Sequence, residues 1–486
     1  MGNLSELLPS GGGQNQVEFV ASGTLPNGKP VILNSNGTVT VIAGVADTIP
    51  LGSSAVFNTS ANYHTGVAFD PSNVNKFVIG YRDEGNSSYG TLVVGTISSN
   101  TISFGSPVVF VSALAMFPSI AFDPNTAGKF VMSCTVGNIG KVVIGSYSGT
   151  TITVSSTTTF DSQASLNQTQ IAFDPNTANR VVVAYGKSAS NVGACKVGTV
   201  SGTSISFGGQ SNFNTHSTYI RLSFDPNTSG KFVVVYRNND NSNYGTASLG
   251  TVSSTSISYG TAAIFNSGST LFTDVAFNPN TANQFVVVYR NNGNSNYGTA
   301  NIGSVSGTSI SYNSPTVFNA GNTNNIYIDF ASNISNAFVI SYADTDNSSY
   351  GTAITGSVAG TSLSFNTEAV FKSASINYSE MSTTPDGRFI VVFQDSSNST
   401  YGTAQLGQMG STNLTSTNLI GIAAEAASSG ATAKINTWGG INEAQSSLTI
   451  ASDYYVQDDG TITTATGGQK VGQAISATTI NMRNQP

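Results

Sequence analysis

The stretch YIRLSFDPNTSGKFVVVYRNNDNSNYGTASLGTVSSTSISYGTAAIF, residues 219–265, decides the fold. Apolar and aromatic residues of the types enriched in β-strands recur in four short runs. We label these runs A to D in chain order: Tyr219 to Phe224, Lys231 to Tyr236, Gly245 to Val252 and Ser256 through Phe265. The A–B connection begins Asp225-Pro226, which is typical of a type I turn and makes Asp225 a turn former rather than a catalyst. The stretch predicts a four-stranded antiparallel sheet.

This stretch is one copy of an internal repeat. The first residue of its Phe-Asp-Pro anchor, Phe224, has a counterpart every 51 or 53 residues, although the later copies depart from the motif. The anchors of repeats 1 to 7 are Phe69, Phe122, Phe173, Phe224, Phe277, Phe330 and Thr383. Periods of this length are typical of solenoids and propellers.

The chain ends distinguish an open solenoid from a closed ring. Repeat 7 has runs A, B (Arg388 to Phe393) and C (Gly402 to Gln408), but the pattern stops before a D run. The segment from Thr48 to Asn58, before repeat 1, aligns with the D segment from Ser256 to Asn266. A ring gains closing hydrogen bonds from such a split, whereas a solenoid does not. Residues 48–409 are therefore predicted to form an all-β, seven-bladed β-propeller of four-stranded blades, closed by an N-terminal strand.

The segments outside the repeats predict a second, smaller domain. Residues 1–16 form a predicted N-terminal arm, either a docking arm or a frayed terminus. Residues 17–47 and 410–486 are predicted to fold together as a discontinuous β-rich base domain, because ring closure brings the two ends of the propeller together. Its predicted strands are Pro30 to Leu33, Thr38 to Ile42, Leu419 to Ala423, Thr432 to Ile435, Asp453 to Val456, Thr461 to Thr463 and Ala474 to Met482.

Composition excludes several partners and sites. Charged residues make up only 8% of the chain and the net charge is −7, so we expect neither a nucleic-acid partner nor membrane insertion. The first residues lack the features of a signal peptide, which predicts a soluble chain that is not exported by that route. Cys134 and Cys195 are expected to be buried, unpaired small hydrophobes. With only His64 and His216 available, we predict no metal and no cofactor.

The B–C loops carry the most conspicuous pattern outside the predicted core. Five of them have the form Asn-Ser-x-Tyr-Gly or a close variant, and in a propeller they would form a rim on one face. The predicted rim residues are Asn86, Tyr89, Asn241, Tyr244, Asn294, Tyr297, Asn347, Tyr350, Asn398 and Tyr401. Repeats 2 and 3 have shorter loops, with Ile139 and Val192 in place of the tyrosine. The motif either shapes turns and packs tyrosines between blades, or binds a neutral glycan through amides and rings.

Catalytic groups show no common pattern. Arg82, Arg237 and Arg290 occupy one repeat position, so symmetry spreads them around the ring instead of converging them on a substrate. Three acids, Glu84, Glu368 and Glu380, have no shared spacing. We therefore expect no catalysis and assign no catalytic residue, with glycan hydrolysis as the remaining enzymatic alternative.

The terminal segments resemble modules of tailed-bacteriophage virion proteins of the fibre-like or capsid-decorating kind. The similarity covers Leu7 to Asn15, Gly23 to Val41, and Ile420 through Tyr454 to Thr478. It implies a virion surface protein assembled in the host cytoplasm, with other virion proteins as partners through the base domain and arm. It further implies a trimer, whereas attachment to a host-surface glycan is the hypothesis that the Asn–Tyr rim supports. The alternatives are capsid decoration without a receptor and a bacterial surface lectin-like propeller.

Overall fold

A computed structural model describes residues 15–483 except 35, 43–47, 164–165, 188–191, 411–413, 415–416, 458–459, 465 and 467. Contacts divide the chain into two compact units, which we call the terminal unit (residues 1–46 and 410–486) and the repeat unit (residues 47–409). The described elements are β-strands, apart from one short 3-10 turn at Glu84–Asn86. No described helix is long and apolar enough to cross a membrane. Residues 1–14 of the predicted arm lie outside the described residues, whereas Asn15 is described and Gln16 already belongs to the first strand.

The described strands form three groups along the chain. The first, in the terminal unit, contains β1 (Gln16–Val20), β2 (Pro30–Leu33) and β3 (Val39–Val41). The second, in the repeat unit, contains β4 (Leu51–Asp70), β5 (Asn73–Asp83), β6 (Tyr89–Ser98), β7 (Thr101–Phe104), β8 (Val108–Phe122), β9 (Lys129–Val136), β10 (Ile139–Ser148), β11 (Thr151–Val154), β12 (Thr158–Asp161), β13 (Leu166–Phe173), β14 (Arg180–Lys187), β15 (Gly193–Ser201), β16 (Ser204–Phe207), β17 (Ser211–Asn214), β18 (Ser217–Phe224), β19 (Lys231–Asn238), β20 (Tyr244–Ser253), β21 (Ser256–Tyr259), β22 (Ala263–Phe277), β23 (Gln284–Asn291), β24 (Tyr297–Ser306), β25 (Ser309–Tyr312), β26 (Thr316–Phe330), β27 (Ala337–Asp344), β28 (Tyr350–Ala359), β29 (Ser362–Phe365), β30 (Ala369–Thr383), β31 (Arg388–Asp395) and β32 (Tyr401–Gln408). The third, again in the terminal unit, contains β33 (Leu419–Ala423), β34 (Thr432–Asn436), β35 (Ile441–Asn442), β36 (Asp453–Val456), β37 (Ile462–Thr463), β38 (Gln469–Ala474) and β39 (Ile480–Met482).

Each repeat folds into a four-stranded antiparallel sheet. In repeat 4, β18, β19 and β20 are strands A, B and C, and strand D consists of β21 followed by the first part of β22. The same pairing order holds in the other repeats of the described chain. The turn role of Asp225 is confirmed, since its Oδ1 accepts the backbone N–H of Asn227 at 2.9 Å.

Strand D differs from the single run predicted from Ser256 to Phe265. It is interrupted at Gly260, where an added Cβ would lie 1.9 Å from the carbonyl oxygen of Thr308 in the next repeat. This contact between neighbouring repeats is invisible in the residue pattern of one repeat. After the break, β22 continues without a loop into strand A of repeat 5.

The repeat unit is an all-β array of propeller-like sheets. Neighbouring A strands contact each other in cyclic order, and β30 of repeat 7 contacts β4 of repeat 1. The first part of β4 also pairs with β32, with Gly402 opposite Asn58 and Gln405 opposite Ser54. The predicted closure by an N-terminal strand is confirmed at this pairing.

Apolar faces of adjacent sheets pack together between the repeats. Val286 and Val288 of repeat 5, for example, share one buried cluster with Ile326 and Ile340 of repeat 6. Both cysteines are buried and unpaired, as expected, with Cys134 in β9 and Cys195 in β15.

The terminal unit contains two five-stranded sheets among its described residues, in the orders β1-β34-β33-β2-β3 and β35-β39-β38-β36-β37. The first sheet combines strands from both ends of the chain. The predicted hairpin of β2 and β3 is confirmed. The single strand predicted from Ala474 to Met482 is wrong. It is two strands, β38 and β39, because Ile475 donates its backbone N–H to the carbonyl of Thr479 and closes a turn.

Candidate functional site

The predicted rim residues lie in five B–C loops, at the end of the sheets where strand B finishes and strand A begins. In repeat 4 the N–H of Tyr244 donates to the carbonyl of Asn241 at 2.9 Å. The two residues between them have positive φ angles, 51° at Ser242 and 63° at Asn243. This is the type I′ geometry that hairpins favour. The motif therefore forms the turn, as the first of its two interpretations requires.

The rim side chains are partly available to solvent. The five asparagines are exposed and the five tyrosines are half-buried. Within the described chain, these asparagine side chains have no hydrogen-bond partner and the five rings form no aromatic pair. Each of these five repeats contributes one Asn–Tyr pair, so the structure distributes the pairs among the repeats instead of gathering them in one pocket.

Repeats 2 and 3 differ at this rim. In repeat 2, a tight turn at Gly137-Asn138 leads directly into Ile139, the first residue of β10. In repeat 3, Val192 accepts a backbone hydrogen bond from Lys187, and residues 188–191 lie outside the described residues.

A cavity lies along the axis of the repeat unit, between the A strands. Three successive inward positions of strand A line it, and we call them the mouth, middle and inner rings. The mouth ring is His64, Phe117, Gln168, Tyr219, Phe272, Asn325 and Tyr378. The middle ring is Gly66, Ser119, Gln170, Arg221, Asp274, Tyr327 and Glu380. The inner ring includes Ala68, Ser223, Ala276, Asp329 and Ser382. Two adjoining spaces of about 190 Å³ and about 210 Å³ share Gln170 and Glu380 as lining, and together form the axial cavity.

The mouth ring is shaped by β-bulges at the start of the A strands. In repeat 4 the register with strand B shifts between Thr218 and Arg221, and Tyr219 has a φ of 53°. Six of the seven mouth residues have a positive φ near 50°, which is costly for residues other than glycine. Aromatic rings meet there, with centroids 4.5 Å apart for His64 and Phe117 and 5.4 Å apart for Tyr219 and Phe272. Burial, with the nearby Arg82, lowers the pKa of His64 to about 4, so this ring is neutral at pH 7.

The middle ring gathers charges around one guanidinium. Arg221 Nη2 lies 3.3 Å from the Tyr327 hydroxyl and 3.8 Å from Glu380 Oε2, and Arg221 Nε lies 3.8 Å from Asp274 Oδ1. Among the described residues, the buried Arg221 Nε and the buried hydroxyl of the adjoining Ser379 have no hydrogen-bond partner. The ring thus has unused hydrogen-bonding capacity facing the cavity.

Desolvation controls the protonation of the axial carboxyls. It raises the pKa of Glu380 to about 8 and that of Asp274 to about 6, although Arg221 acts in the opposite direction on both. Desolvation also raises the pKa of Asp329, in the inner ring, to about 7.

Some axial side chains also join neighbouring repeats. Strand A is the inner edge of its sheet, and its unpaired N–H groups need acceptors. Asp274 Oδ2 accepts the N–H of Ile328, and Asp329 Oδ2 accepts the N–H of Thr383, both at 2.9 Å. Ser382 accepts the N–H of Phe69 at 3.2 Å and so links repeat 7 to repeat 1. These two aspartates therefore have a structural role in addition to lining the cavity.

Sequence reasoning missed this convergence. It considered Arg82, Arg237 and Arg290, which bond Glu84, Asn243 and Asn292 of their own loops. Arg290 also bonds Asn324 of the next repeat and lies 5.0 Å from the ring centroid of Phe272 in the mouth ring. Glu368 likewise bonds Tyr342 at 2.6 Å. Arg221 and Glu380, which the sequence analysis did not relate, occupy the same repeat position and meet at the axis. One sequence signal could have indicated the cavity: a single position of strand A changes in every repeat, although the rest of the strand is similar. In successive repeats this position is Gly, Ser, Gln, Arg, Asp, Tyr and Glu.

The two histidines lie in different surroundings. His64 belongs to the mouth ring, whereas His216 Nδ1 lies 3.4 Å from the half-exposed Asp240. Within the described residues, no cluster of three or more His, Cys, Asp or Glu side chains could hold a metal ion.

Comparison with known proteins identifies the fold of the chain but not a family. No protein-family model matches the chain, and no curated protein matches it. The BP39L lectin from Burkholderia pseudomallei superposes with a TM-score of 0.53 at 12% identity, covering 75% of this chain and 100% of the lectin. The two chains share a β-propeller-like fold. Lower TM-scores were found for the Aleuria aurantia lectin (0.41, 13% identity, 65% and 97% covered) and for AofleA from Arthrobotrys oligospora (0.42, 6% identity, 69% and 93% covered).

Proposed function

We propose that the repeat unit is a seven-bladed β-propeller that binds neutral glycans without cleaving them. Seven anchors in the sequence, the recurring sheet pairing and the cyclic contacts of the A strands support this number of blades. BP39L, which shares the fold, is a lectin, and we extend its ligand class to this chain as part of the proposal. Because a fold does not determine a function, the proposal depends on the rim residues.

The observation that carries the proposal is the repeated Asn–Tyr pair. On one face, five exposed asparagine amides, which have no partner within the described part of the chain, each lie three residues before a half-buried tyrosine. An amide offers a donor and an acceptor to sugar hydroxyls, and a tyrosine ring offers an apolar face to sugar C–H groups. Equivalent weak sites act together through multivalency, which suits a repetitive surface polysaccharide.

A glycan array tests this function. The full chain is compared with a variant carrying Asn241→Ala, Asn294→Ala and Asn347→Ala. We expect the parent to bind a set of neutral glycans, the variant to lose about tenfold or more in apparent affinity, and bound glycans to be recovered uncleaved. The three asparagines do not have positive φ angles, so alanine is compatible with their backbone.

The matched control changes two exposed asparagines in turns at the opposite end of the sheets, Asn100→Ala and Asn333→Ala. This control should bind like the parent. If the rim variant folds and binds the same glycans as strongly as the parent, or if the parent binds none, the rim is a scaffold.

We place this glycan binding on a virion surface as a separate proposal, supported by the resemblance of the terminal segments to tailed-phage virion proteins. In that setting the terminal unit and the arm contact other virion proteins, and the chain is a trimer. An antibody against the chain should label intact particles in immunogold electron microscopy. Labelling of a bacterial cell surface without particles would instead favour the bacterial lectin alternative, and head labelling without glycan binding would favour capsid decoration.

A further inference from the structure

The axial cavity is the least repetitive surface of a highly repetitive chain. Strand B has phenylalanine at one equivalent core position in six repeats: Phe77, Phe130, Phe232, Phe285, Phe338 and Phe389. The middle ring, in contrast, has a different residue in every repeat. Sheet packing therefore does not explain its composition, because the same packing is made with seven different side chains.

Polar groups at the middle of the cavity can bind hydroxyls. Arg221 supplies N–H donors, and Glu380 and Asp274 supply carboxyl oxygens within 4 Å of it. Among the described residues, Arg221 Nε and the Ser379 hydroxyl have no hydrogen-bond partner. Ser379 is only 3% exposed. Buried polar groups without partners carry a free-energy cost that a bound ligand or water removes.

The mouth of the cavity offers apolar faces. Phe117, Tyr219, Phe272 and Tyr378 line it, and their backbones are held in the left-handed region. Backbone strain of this kind persists where the surrounding structure fixes it, and it is concentrated at ligand sites. Here the bulges place rings around the opening on the same face as the rim loops.

We propose that the axial cavity binds one neutral pyranose, the terminal residue of a glycan. A pyranose packs its C–H face on aromatic rings while adjacent hydroxyls donate to carboxyl oxygens and accept from a guanidinium. The cavity offers both kinds of group, and the acids flank Arg221, so the site does not select a free anion. The space of about 190 Å³ at the mouth suits a single small ligand. This site rests on the proposed carbohydrate-binding function but uses none of the rim residues.

Titration calorimetry of the full chain tests the site with methyl pyranosides of glucose, galactose, mannose and fucose. We expect one of them to bind with one site per chain, in contrast to the five rim loops. Two variants remove different contacts, Phe272→Ala at the mouth and Glu380→Ala in the middle ring. Each should weaken binding by about tenfold or more while the melting transition shows a folded chain.

Two matched controls accompany these variants. Glu425→Ala makes the same truncation at the half-exposed Glu425–Lys434 pair of the terminal unit, and should bind like the parent. The rim triple variant should also keep the one-site binding.

The outcomes separate this proposal from the proposed function. If the parent binds glycans but both axial variants bind equally well, the axial site is wrong and the rim function stands. If the parent binds neither the array nor any pyranoside, both proposals fail. Displacement of the bound pyranoside by sodium phosphate at equal concentration would show an anion site at Arg221 and overturn the sugar assignment.

Discussion

At the scale of single residues, the axial carboxyls are chemically unusual in this chain. Glu380, Asp274 and Asp329 all have raised pKa values because desolvation disfavours their charged forms. Arg221 opposes this shift for Glu380 and Asp274, while Asp274 reinforces it for Glu380 and Asp329. The folded chain therefore holds protons in this cluster at pH values where the unfolded chain has released them.

This difference predicts a pH dependence of stability. A carboxyl with a raised folded-state pKa contributes stability that is fully present below its unfolded pKa and is lost as pH rises through the folded value. For Glu380 the window runs from 4.5 to about 8. Because His64, whose pKa is lowered to about 4, acts in the opposite direction below its ordinary 6.5, the free energy of unfolding in urea should fall between pH 7 and 8.5. It should fall less in Glu380→Gln, which resembles the protonated side chain. Equal slopes for parent and variant would contradict this assignment.

Two other carboxyls contribute to the pH dependence only at acid pH. Lys187 holds the pKa of Asp161 below its ordinary value, against the desolvation that acts on it, and Lys372 does the same for Asp395. Their contribution is present above the unfolded pKa of 3.8 and is lost as pH falls below it. Measurements between pH 7 and 8.5 therefore report mainly on the axial carboxyls.

At the scale of elements, the decisive feature is a strand contributed out of sequence order. The first part of β4 takes the D position in the sheet of repeat 7, and its Phe57 lies over Gly402 of strand C. The Phe57 ring centroid is 5.1 Å from that of Tyr81 and 6.0 Å from that of Phe104, both in repeat 1. The strand therefore joins the last repeat to the first.

Phe57→Ala measures what this closure contributes. Phe57 is 6% exposed, so we expect the variant to lose about 3–5 kcal/mol in the free energy of unfolding, as for other buried Phe→Ala changes. The matched control is Phe265→Ala, in the D strand of the uninterrupted repeat 4, where Phe265 packs on Tyr289 and Tyr312 with centroids 5.1 and 5.9 Å apart. Denaturant unfolding should give similar losses. A large loss for Phe265→Ala with none for Phe57→Ala would mean that closure adds nothing.

At the scale of the whole molecule, the sequence of the terminal unit is interrupted by the repeat unit, which is inserted between its two segments. Strands β1 and β2 pair with β34 and β33, which lie about 400 residues later in the sequence. Between them, the repeat unit closes on itself through β4 and β32. Both units thus depend on pairing between the beginning and the end of their own sequence segments, so neither is complete until its last strand has been synthesised.

The sequence by itself determined the period, the A-to-D strand order, the turn role of Asp225 and the split of repeat 7, because these depend on local residue patterns and on comparison between copies. It did not reveal the break in strand D at Gly260, where the chain closely approaches Thr308 of the next repeat. Nor did it reveal the axial cavity. Arg221 and Glu380 are 159 residues apart and meet only because ring closure brings one position of each A strand to the axis. The bulges that aim the mouth ring are likewise a tertiary feature, since a positive φ at Tyr219 or Phe272 runs against the preference of those residues and is held by the surrounding strands.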